Sequence, residues 1–310
     1  MRNKFADTIY DEAKNNDRIC VIVADISPAG SMEKFRNDFP DRFIDCGVSE
    51  QSMIGIAAGM AARGFQPFCY TIAPFALYRP FEFIRDDICY QNLPVTIVGM
   101  GAGLVYSSLG PTHQATEDIA IASALPNMTV FAPCDPNEVQ VITRWCCTEG
   151  CRPTYIRLGK AGEPDLTSNL EDDWEFGMPR LLSSIQEDSE VCILTYGTIA
   201  KKAIEVSAAL KSKGVFVDLI SVPTIKPFVH DFFYDLFNGL CRYELVVIIE
   251  ETNFSYGISS QVMGVVPFGT DLLRYGLEDK YSHNYGSHDE LLKDNGLDVE
   301  FMVNDIYGYL

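Results

Sequence analysis

The sequence predicts an α/β protein built from two three-layer α/β domains with largely parallel sheets. Short β-rich runs alternate with helical patterns, and Gly, Pro or Asx residues separate them, which is typical of parallel βαβ units. The chain has 310 residues, enough for two sizeable cores. We therefore expect one domain at residues 1–162, a linker at 163–187 and a second domain at 188–310.

Four β-rich runs indicate the strands of the first domain. They lie at 19–24, 66–71, 95–99 and 129–132. After the last run, Asp135 is placed to cap a helix, Pro136 to open it and Glu138 to support its first turn. We expect that helix to continue through Trp145, which completes one α/β layer sandwich.

The predicted linker is polar, acidic and only weakly periodic. The second domain then shows β-rich runs at 191–197, 215–220 and 243–251, with a helical pattern at 200–210. The last of these runs is nearly all apolar, as expected for a parallel strand that is buried on both faces.

Composition narrows the classes of function. The formal net charge of −19 repels phosphate backbones and anionic lipid, so we expect neither nucleic acid nor a membrane as partner. No run reaches the roughly 18 apolar residues of a membrane span, and the first residues predict no leader, so we expect a cytoplasmic protein. The ten cysteines form no C-x-x-C pair and lack histidines at zinc spacing, which predicts reduced thiols and no metal site on this chain.

Glu50 is the first candidate site residue. It lies between Gly47 and a run of small residues with a helical pattern, directly after the β-rich residues Phe43, Ile44 and Asp45. A carboxyl group at such a helix start is placed to hydrogen-bond a molecule bound at the helix mouth, although an acid that merely suits the helix dipole is the common alternative. The segments that follow favour the binding role.

Three later segments carry further candidates. Phe75 and Tyr78 are three positions apart, so they share a face if the segment is helical. On that face the two rings either sandwich a flat heterocycle or pack in the core. His113 lies in the Gly-Pro turn of SLGPTHQ, which suits an exposed side chain with a titratable ring. Lys160 ends the run RPTYIRLGK at a domain edge, where a lysine is usually exposed.

These four segments resemble the transketolase superfamily of thiamine-diphosphate enzymes. The Glu50 segment is similar to a G-[IV]-x-E-[QH] helix whose glutamate hydrogen-bonds the aminopyrimidine ring of the cofactor, and Phe75 and Tyr78 match aromatics around that ring. GPTHQ is similar to a loop whose histidine, His113 here, faces the substrate. PTYIRL is similar to a strand end after which a basic residue, Lys160 here, often meets a substrate phosphate.

The resemblance extends to the family's C-terminal domain through 249–252 and 281–298, so it covers nearly the whole chain. It implies a pyrimidine-binding domain at 1–162 and a transketolase C-terminal domain at 188–310. It also implies thiamine diphosphate as cofactor and transfer of a two-carbon ketol unit from a ketose or ketose phosphate to an aldehyde, with Glu50 and His113 as catalytic residues.

One family motif is absent. The family holds the diphosphate through Mg²⁺ on a G-D-G motif of a separate domain, and this sequence contains no Gly-Asp-Gly. We therefore expect the C-terminal subunit of a split enzyme, active as an α2β2 heterotetramer with an N-terminal partner that supplies the Mg²⁺ ligands. The spacing Gly55-x-x-x-Gly59 allows close helix approach at such an interface, and tight packing inside the domain explains it equally well.

Two departures from the family pattern concern the substrate. Leu109 stands where transketolases of ordinary sugar phosphates usually carry an aspartate, and a histidine usual near Gly101 is missing. We expect Leu109 to be buried. A buried leucine cannot make the aspartate's hydrogen bonds to the donor hydroxyls, and losing such a bond costs about 1–3 kcal/mol. We therefore expect an unusual ketose or acceptor. The donor, the acceptor and the pathway stay open.

Other functions are compatible with the same layout. These are the beta subunit of a 2-oxo-acid dehydrogenase, a 1-deoxyxylulose-phosphate-synthase-like enzyme and a non-catalytic regulatory subunit. A dinucleotide-binding oxidoreductase is disfavoured, because the glycines at 99–103 lack the G-x-G-x-x-G spacing.

Overall fold

The computed structural model describes residues 1–25, 31–167, 174–183, 189–238 and 243–310. Within these ranges the chain forms two sheets with helices packed on them, which confirms the predicted fold class. Parts of the predicted linker, 168–173 and 184–187, lie outside the described residues, as does residue 188. The domain boundaries therefore stay a prediction.

The strands and helices alternate along most of the chain. The strands are β1 Ile19–Val23, β2 Phe43–Asp45, β3 Gln66–Ile72, β4 Thr96–Met100, β5 Thr129–Phe131, β6 Thr154–Leu158, β7 Arg180–Leu181, β8 Val191–Thr195, β9 Val217–Ser221, β10 Thr224–Lys226, β11 Leu245–Asn253 and β12 Asp271–Leu277. The α-helices are α1 Arg2–Ala13, α2 Glu33–Asp38, α3 Glu50–Ala62, α4 Ala73–Leu77, α5 Phe81–Phe83, α6 Asp118–Ala124, α7 Pro136–Thr148, α8 Ala200–Ser212, α9 His230–Asn238, α10 Ser259–Val262, α11 His288–Asp294 and α12 Val299–Tyr309. A π-helical turn at Ile84–Cys89 follows α5, and short 3₁₀ helices lie at Pro40–Arg42, Ser107–Leu109 and Gly197–Ile199.

The predicted elements of the first domain are confirmed to within three residues at their ends. Strands β1, β3, β4 and β5 coincide with the four β-rich runs. Helix α7 begins as expected, because the Asp135 side chain accepts a hydrogen bond from the Glu138 backbone N–H at 2.8 Å and Pro136 needs no partner for its nitrogen. The helix continues beyond Trp145 to Thr148.

The first sheet has the described strand order β10-β5-β6-β4-β3-β1-β2. Its strands are parallel except β10, which lies beyond the predicted linker and pairs antiparallel with β5. The Lys226 ammonium group anchors β10 by donating to the carbonyl oxygens of Ser123, at 2.9 Å, and Leu125, at 2.5 Å. The second half of the chain therefore supplies an edge strand of the first sheet. Strand β10 has only three residues, which is too short a run to be predicted from the sequence.

The second sheet has the described order β12-β11-β8-β9-β7 and is parallel except for β7. Strand β11 is buried along its whole length, as its apolar sequence predicts. One apolar cluster is continuous between the sheets, since Val130 and Ala132 of the first half pack with Leu194, Val222 and Ile225 of the second. The two halves therefore share a core, and burial of that core holds them together.

The carboxyl ends of the parallel strands position the candidate site. Glu50 follows β2, Phe75 follows β3, His113 follows β4 and Lys160 follows β6. Parallel strands present their carboxyl ends at one edge of a sheet, where open α/β folds bind their ligands. The topology thus brings four separate sequence segments to the same edge.

Two glutamates are fully buried, Glu138 in α7 and Glu250 in β11. Glu138 accepts a hydrogen bond from the Cys134 backbone N–H at 2.7 Å, and burial raises the pKa of its carboxyl to about 7. Glu250 accepts hydrogen bonds from the Tyr196 hydroxyl at 2.8 Å and from the Ser259 hydroxyl, and burial again raises the pKa to about 7. Both carboxyls therefore hold protons in the folded chain at pH values where an unfolded glutamate has lost them.

These glutamates predict a pH dependence of stability. Between pH about 4.5 and about 7 the folded state binds the proton that the unfolded state releases, so each group's contribution to stability declines as the pH rises, by up to about 3 kcal/mol. Replacing Glu250 by glutamine removes one titrating group, and we expect the Tm difference between pH about 5 and about 7.5 to shrink. Calorimetric unfolding at the two pH values measures this, with exposed Glu244→Gln as the matched control. An unchanged difference in the Glu250 variant contradicts the assignment.

Candidate active site

Glu50 is the first residue of α3, and its side chain is only 2% exposed. The Arg79 guanidinium donates a hydrogen bond to its Oε2 at 2.7 Å. Among the described residues this is the carboxyl group's hydrogen-bond partner, so Oε1 is left for a further one. A buried carboxyl with one anchored and one available oxygen is suited to hold a proton against a bound ligand.

Phe75 and His113 lie next to this pair. The Arg79 guanidinium is 4.8 Å from the centre of the Phe75 ring, and the His113 ring meets Phe75 edge-on with 5.1 Å between ring centres. Helix α4 places Phe75 there because β3 ends at Ile72 and Pro74 lies in the first turn. Arg79 thus joins Glu50 to Phe75, and Phe75 joins them to His113. The sequence did not indicate Arg79, because a single arginine in a loop gives no signal.

The loop that carries His113 is held by a tight turn. Gly110 has φ +75°, and the backbone N–H of His113 donates to the Gly110 carbonyl at 3.0 Å. A side chain at 110 would be strained by that φ and would meet the Tyr285 ring. The Thr112 hydroxyl lies 2.9 Å from His113 Nδ1, which engages one ring nitrogen locally and leaves Nε2 for other contacts.

The two remaining predicted residues occupy different positions. The Tyr78 hydroxyl donates to Glu117 at 3.0 Å, and burial raises the pKa of this phenol. Its hydroxyl is therefore directed at a protein partner, and the sandwich with Phe75 stays a prediction. The exposed Lys160 places its ammonium group 5.1 Å from the centre of the Tyr106 ring, and that ring faces His113 at 6.3 Å. Lys160 is thus linked to the His113 loop through Tyr106.

A buried ion pair lies behind the loop. Arg157 of β6 is 2% exposed and pairs with Asp118 at 3.0 Å, while the Tyr155 hydroxyl donates to the same carboxylate at 2.7 Å. The Arg157 guanidinium also donates to the carbonyl oxygens of Ala115 and Glu251, at 2.8 Å each. It therefore ties the residues just after His113 to β11 of the second sheet. This pair was not among the predicted site residues. An arginine within a mostly apolar β-rich run is the sequence feature that could have indicated it.

Glu251 links the second sheet to the same loop. Its carboxylate accepts from the Leu104 backbone N–H at 2.6 Å and contacts His288 Nε2 at 2.7 Å. Burial opposes ionisation, but His288 and its hydrogen bond hold the pKa of Glu251 below its usual value. A Cβ at residue 103 would lie 2.5 Å from this carboxylate, and Gly103 has φ +53°, so the close approach requires glycine.

Leu109 and the glycines Gly55 and Gly59 are all exposed. Leu109 is 48% exposed, so the expectation of a buried leucine was wrong, and the argument from buried hydrogen bonds does not apply to it. Gly55 and Gly59 are exposed, and a Cβ built on either meets no atom within 4 Å. Tight packing inside the domain therefore does not explain their spacing.

The described ranges hold no group of three or more His, Cys, Asp or Glu side chains placed to bind a metal ion. No helix in the same ranges is long and apolar enough to cross a membrane.

Two family models match the chain. The model for the transketolase pyrimidine-binding domain matches residues 1–162, and the model for the transketolase C-terminal domain matches residues 183–300. The chain belongs to the transketolase family. The resemblance seen in the sequence is thereby confirmed, and a transferase is the class of enzyme that the family indicates.

Individual relatives agree with this assignment. The chain is 28% identical to a subunit of the apulose-4-phosphate transketolase of Actinobacillus succinogenes, covering 98% of this chain and 96% of that protein. A solved split-gene transketolase, an inactive beta4 tetramer, is 30% identical with a TM-score of 0.87, covering 99% of this chain and 97% of that one. The chain is also 31% identical to 1-deoxy-D-xylulose-5-phosphate synthase of Clostridium perfringens, over 97% of its own length and about half (48%) of that protein.

The Arg157–Asp118 pair predicts a large stability effect. Arg157→Met leaves the buried Asp118 carboxylate without its cation, which we expect to destabilise the transketolase chain by about 3–5 kcal/mol. Adding Asp118→Asn removes the uncompensated charge and should restore part of that loss. Denaturant unfolding of both variants measures the two effects. A single variant as stable as the unmodified chain, or a double variant less stable than the single one, contradicts the assignment.

Proposed function

We propose that this chain is the C-terminal subunit of a split, thiamine-diphosphate-dependent transketolase-like enzyme. The assembled enzyme transfers a two-carbon ketol unit from a ketose or ketose phosphate to an aldehyde. The observation that carries the proposal is the buried Glu50 carboxyl, with Oε1 available, beside Phe75 and His113. Family membership supports both the reaction class and the dependence on thiamine diphosphate.

The residues at the strand ends fit the pyrimidine end of the cofactor. An aminopyrimidine is a flat ring with hydrogen-bonding nitrogens, so it needs an apolar face and a polar group at its edge. Phe75, half-buried, supplies a ring face, and the buried side chain of Glu50 supplies Oε1, since Arg79 bonds the other oxygen. The diphosphate end finds no Gly-Asp-Gly in the sequence, so we assign the Mg²⁺ ligands to the partner.

Each residue then has a definite task. Thiamine diphosphate, when bound, supplies the carbon nucleophile that ketol transfer requires. Glu50 would share a proton with the pyrimidine ring through Oε1, and Arg79 fixes the other oxygen so that the carboxyl keeps its orientation. Because Glu50 is buried, little water competes for that hydrogen bond, which strengthens it.

His113 and Lys160 serve the substrate. With Nδ1 engaged by the Thr112 hydroxyl, His113 Nε2 exchanges a hydrogen bond or a proton with a substrate oxygen. Lys160, on the far side of Tyr106, carries an ammonium group suited to a substrate phosphate. The similarity to an apulose-4-phosphate transketolase supports a specialised ketose phosphate as one substrate.

We infer that the exposed face of α3 contacts another subunit. Ile56 and Val48 are 39% and 70% exposed beside Gly55 and Gly59, whose missing side chains allow a helix to approach closely. Two relatives, one named as a single subunit of its transketolase and the other as a split-gene transketolase, support an assembly of this kind. We propose an α2β2 heterotetramer with the N-terminal subunit that carries the Mg²⁺ ligands.

Glu50 is tested by removing its proton-holding group. Glu50→Gln keeps the size of the side chain but not the acid, so we expect turnover of the assembled complex to fall by about 10²–10⁴-fold, the usual contribution of a positioned acid or base. Steady-state ketol transfer measures this, with Glu82→Gln on exposed α5 as the matched control. Unchanged turnover in the Glu50 variant favours the regulatory-subunit alternative and overturns the proposal.

Larger side chains on the exposed face of α3 test whether this face contacts another subunit. Gly55 and Gly59 are exposed and a Cβ at either meets no atom within 4 Å, so with leucine at both we expect an unchanged or raised Tm but loss of the heterotetramer. Sedimentation with the N-terminal subunit measures assembly. Gly308→Leu, at another open helical glycine in α12, is the matched control. Normal assembly of the double variant shows that this face is not in the interface.

A second activity has a specific observation in its favour. The match to 1-deoxy-D-xylulose-5-phosphate synthase favours a synthase-like activity as the alternative, and we choose pyruvate as the donor that tests it. Supplying the assembled enzyme with pyruvate or with a ketose phosphate, each with an aldehyde acceptor, separates the two. We expect turnover with the ketose phosphate. Release of carbon dioxide from pyruvate, without turnover of the ketose phosphate, assigns the chain to the synthase-like or 2-oxo-acid dehydrogenase alternatives.

A further inference from the structure

The segment at 278–287 joins β12 to α11 and lies against the loop that carries His113. Pro111 and Gln114 line the cleft between them from the side of the loop, and Lys280 and Ser282 line it from the side of the segment. The cleft has a volume of about 10 Å³, which leaves room for no more than about one water molecule. The two parts of the chain are therefore in close contact, and the cleft between them is not a ligand site.

Tyr285 of this segment covers a glycine of the loop. A Cβ built on Gly110 would lie 2.8 Å from Tyr285 Cε1 and 3.0 Å from the Tyr285 hydroxyl oxygen, so the ring packs directly on the α-carbon. Gly110 is also the residue whose carbonyl oxygen accepts the backbone hydrogen bond of His113, at 3.0 Å. The Tyr285 ring therefore packs on the turn that presents His113.

The backbone on both sides of Tyr285 is held in place. The Asn284 side chain donates to Asp294 of α11 at 2.7 Å, and Ser287 caps the same helix through a capping box. The segment begins directly after β12, which pairs with β11. The ring of Tyr285 therefore rests on a backbone that is fixed to α11 and to the second sheet.

The C-terminal half contacts the His113 loop near its start, in its middle and near its end. Near the start, the Leu104 backbone N–H donates to the Glu251 carboxylate at 2.6 Å. Near the end, the Asn253 backbone N–H donates to the Thr116 carbonyl oxygen at 3.1 Å. The aromatic ring on residue 110 lies between these two hydrogen bonds, so it acts on the part of the loop closest to His113.

Tyr285 contributes little to the core. It is 69% exposed, so removing its ring changes the buried apolar area only slightly. A variant without the ring should therefore keep the fold, and a change in the loop can be separated from a change in overall stability.

We propose that Tyr285 is a positioning residue for His113, because its ring packs on Gly110 and holds the turn that directs His113 at the substrate. The inference rests on the proposed role of His113 and goes beyond it, since it gives the C-terminal half a part in the reaction. Tyr285 acts through His113 and touches no reacting atom. Such positioning matters because a displacement of about 1 Å can lower a rate by about 10²-fold.

Hydrogen exchange of the full chain tests whether the ring holds the turn. In Tyr285→Ala we expect the amides of 110–114 to exchange about tenfold faster with a nearly unchanged Tm, since one local contact is lost. Tyr285→Phe keeps the ring and should restore the slow exchange. Tyr234→Ala, at a 58% exposed tyrosine of α9, is the matched control. Unchanged exchange at 110–114, or an increase spread over the whole chain, overturns the proposal. Because no turnover is needed, this result is independent of the proposed function.

A double-variant cycle in the assembled enzyme tests whether Tyr285 acts through His113. We expect Tyr285→Ala to lower kcat by about 10–10²-fold and Tyr285→Phe to restore it, with the affinity for thiamine diphosphate unchanged in both. In a His113→Ala background the same change should have little further effect, because the group that Tyr285 positions is absent. An unchanged kcat in Tyr285→Ala, or two losses that add fully in the double variant, overturns the proposal.

Discussion

The ion pair between Arg157 and Asp118 is the constraint on which the rest of the site depends. Burying two charges costs several kcal/mol, and the contacts of Asp118 with both Arg157 and the Tyr155 hydroxyl offset part of that cost. The Nη2 group of Arg157 also donates to the carbonyl oxygens of Ala115 and Glu251. These bonds form together only in one arrangement of the His113 loop and the two sheets. The pair thus holds the His113 loop in a fixed position against the C-terminal half.

The strand ends of the first sheet bring Glu50, Phe75 and His113 to one edge. We propose that this edge supplies the contacts for the pyrimidine end of the cofactor and for a substrate oxygen in a split enzyme. The diphosphate end needs a metal and its oxygen ligands, and these we place on another subunit. Half a binding site has low affinity on its own, so we propose that cofactor binding is coupled to assembly through the exposed face of α3.

Local chemistry explains which features the sequence revealed. The apolar runs of β1, β3, β4 and β11, and the capped start of α7, follow from short-range patterns, so they were predictable. Glu50 and His113 were predicted as site residues because their motifs are contiguous. Strand β10, the Arg79 contacts and the Glu251–His288 pair join residues far apart in sequence, and no local pattern encodes them. Leu109 was misjudged for the same reason, since exposure depends on what packs against a loop.

The most direct test of the account is titration calorimetry of thiamine diphosphate with Mg²⁺, first into this chain alone and then into its complex with the N-terminal subunit. The account predicts little or no binding by the chain alone and tight binding, one cofactor per Glu50, by the complex. Tight binding by the isolated chain contradicts the division of the site between two subunits. Absence of binding in both samples contradicts the assignment of Glu50 and Phe75 to the pyrimidine ring.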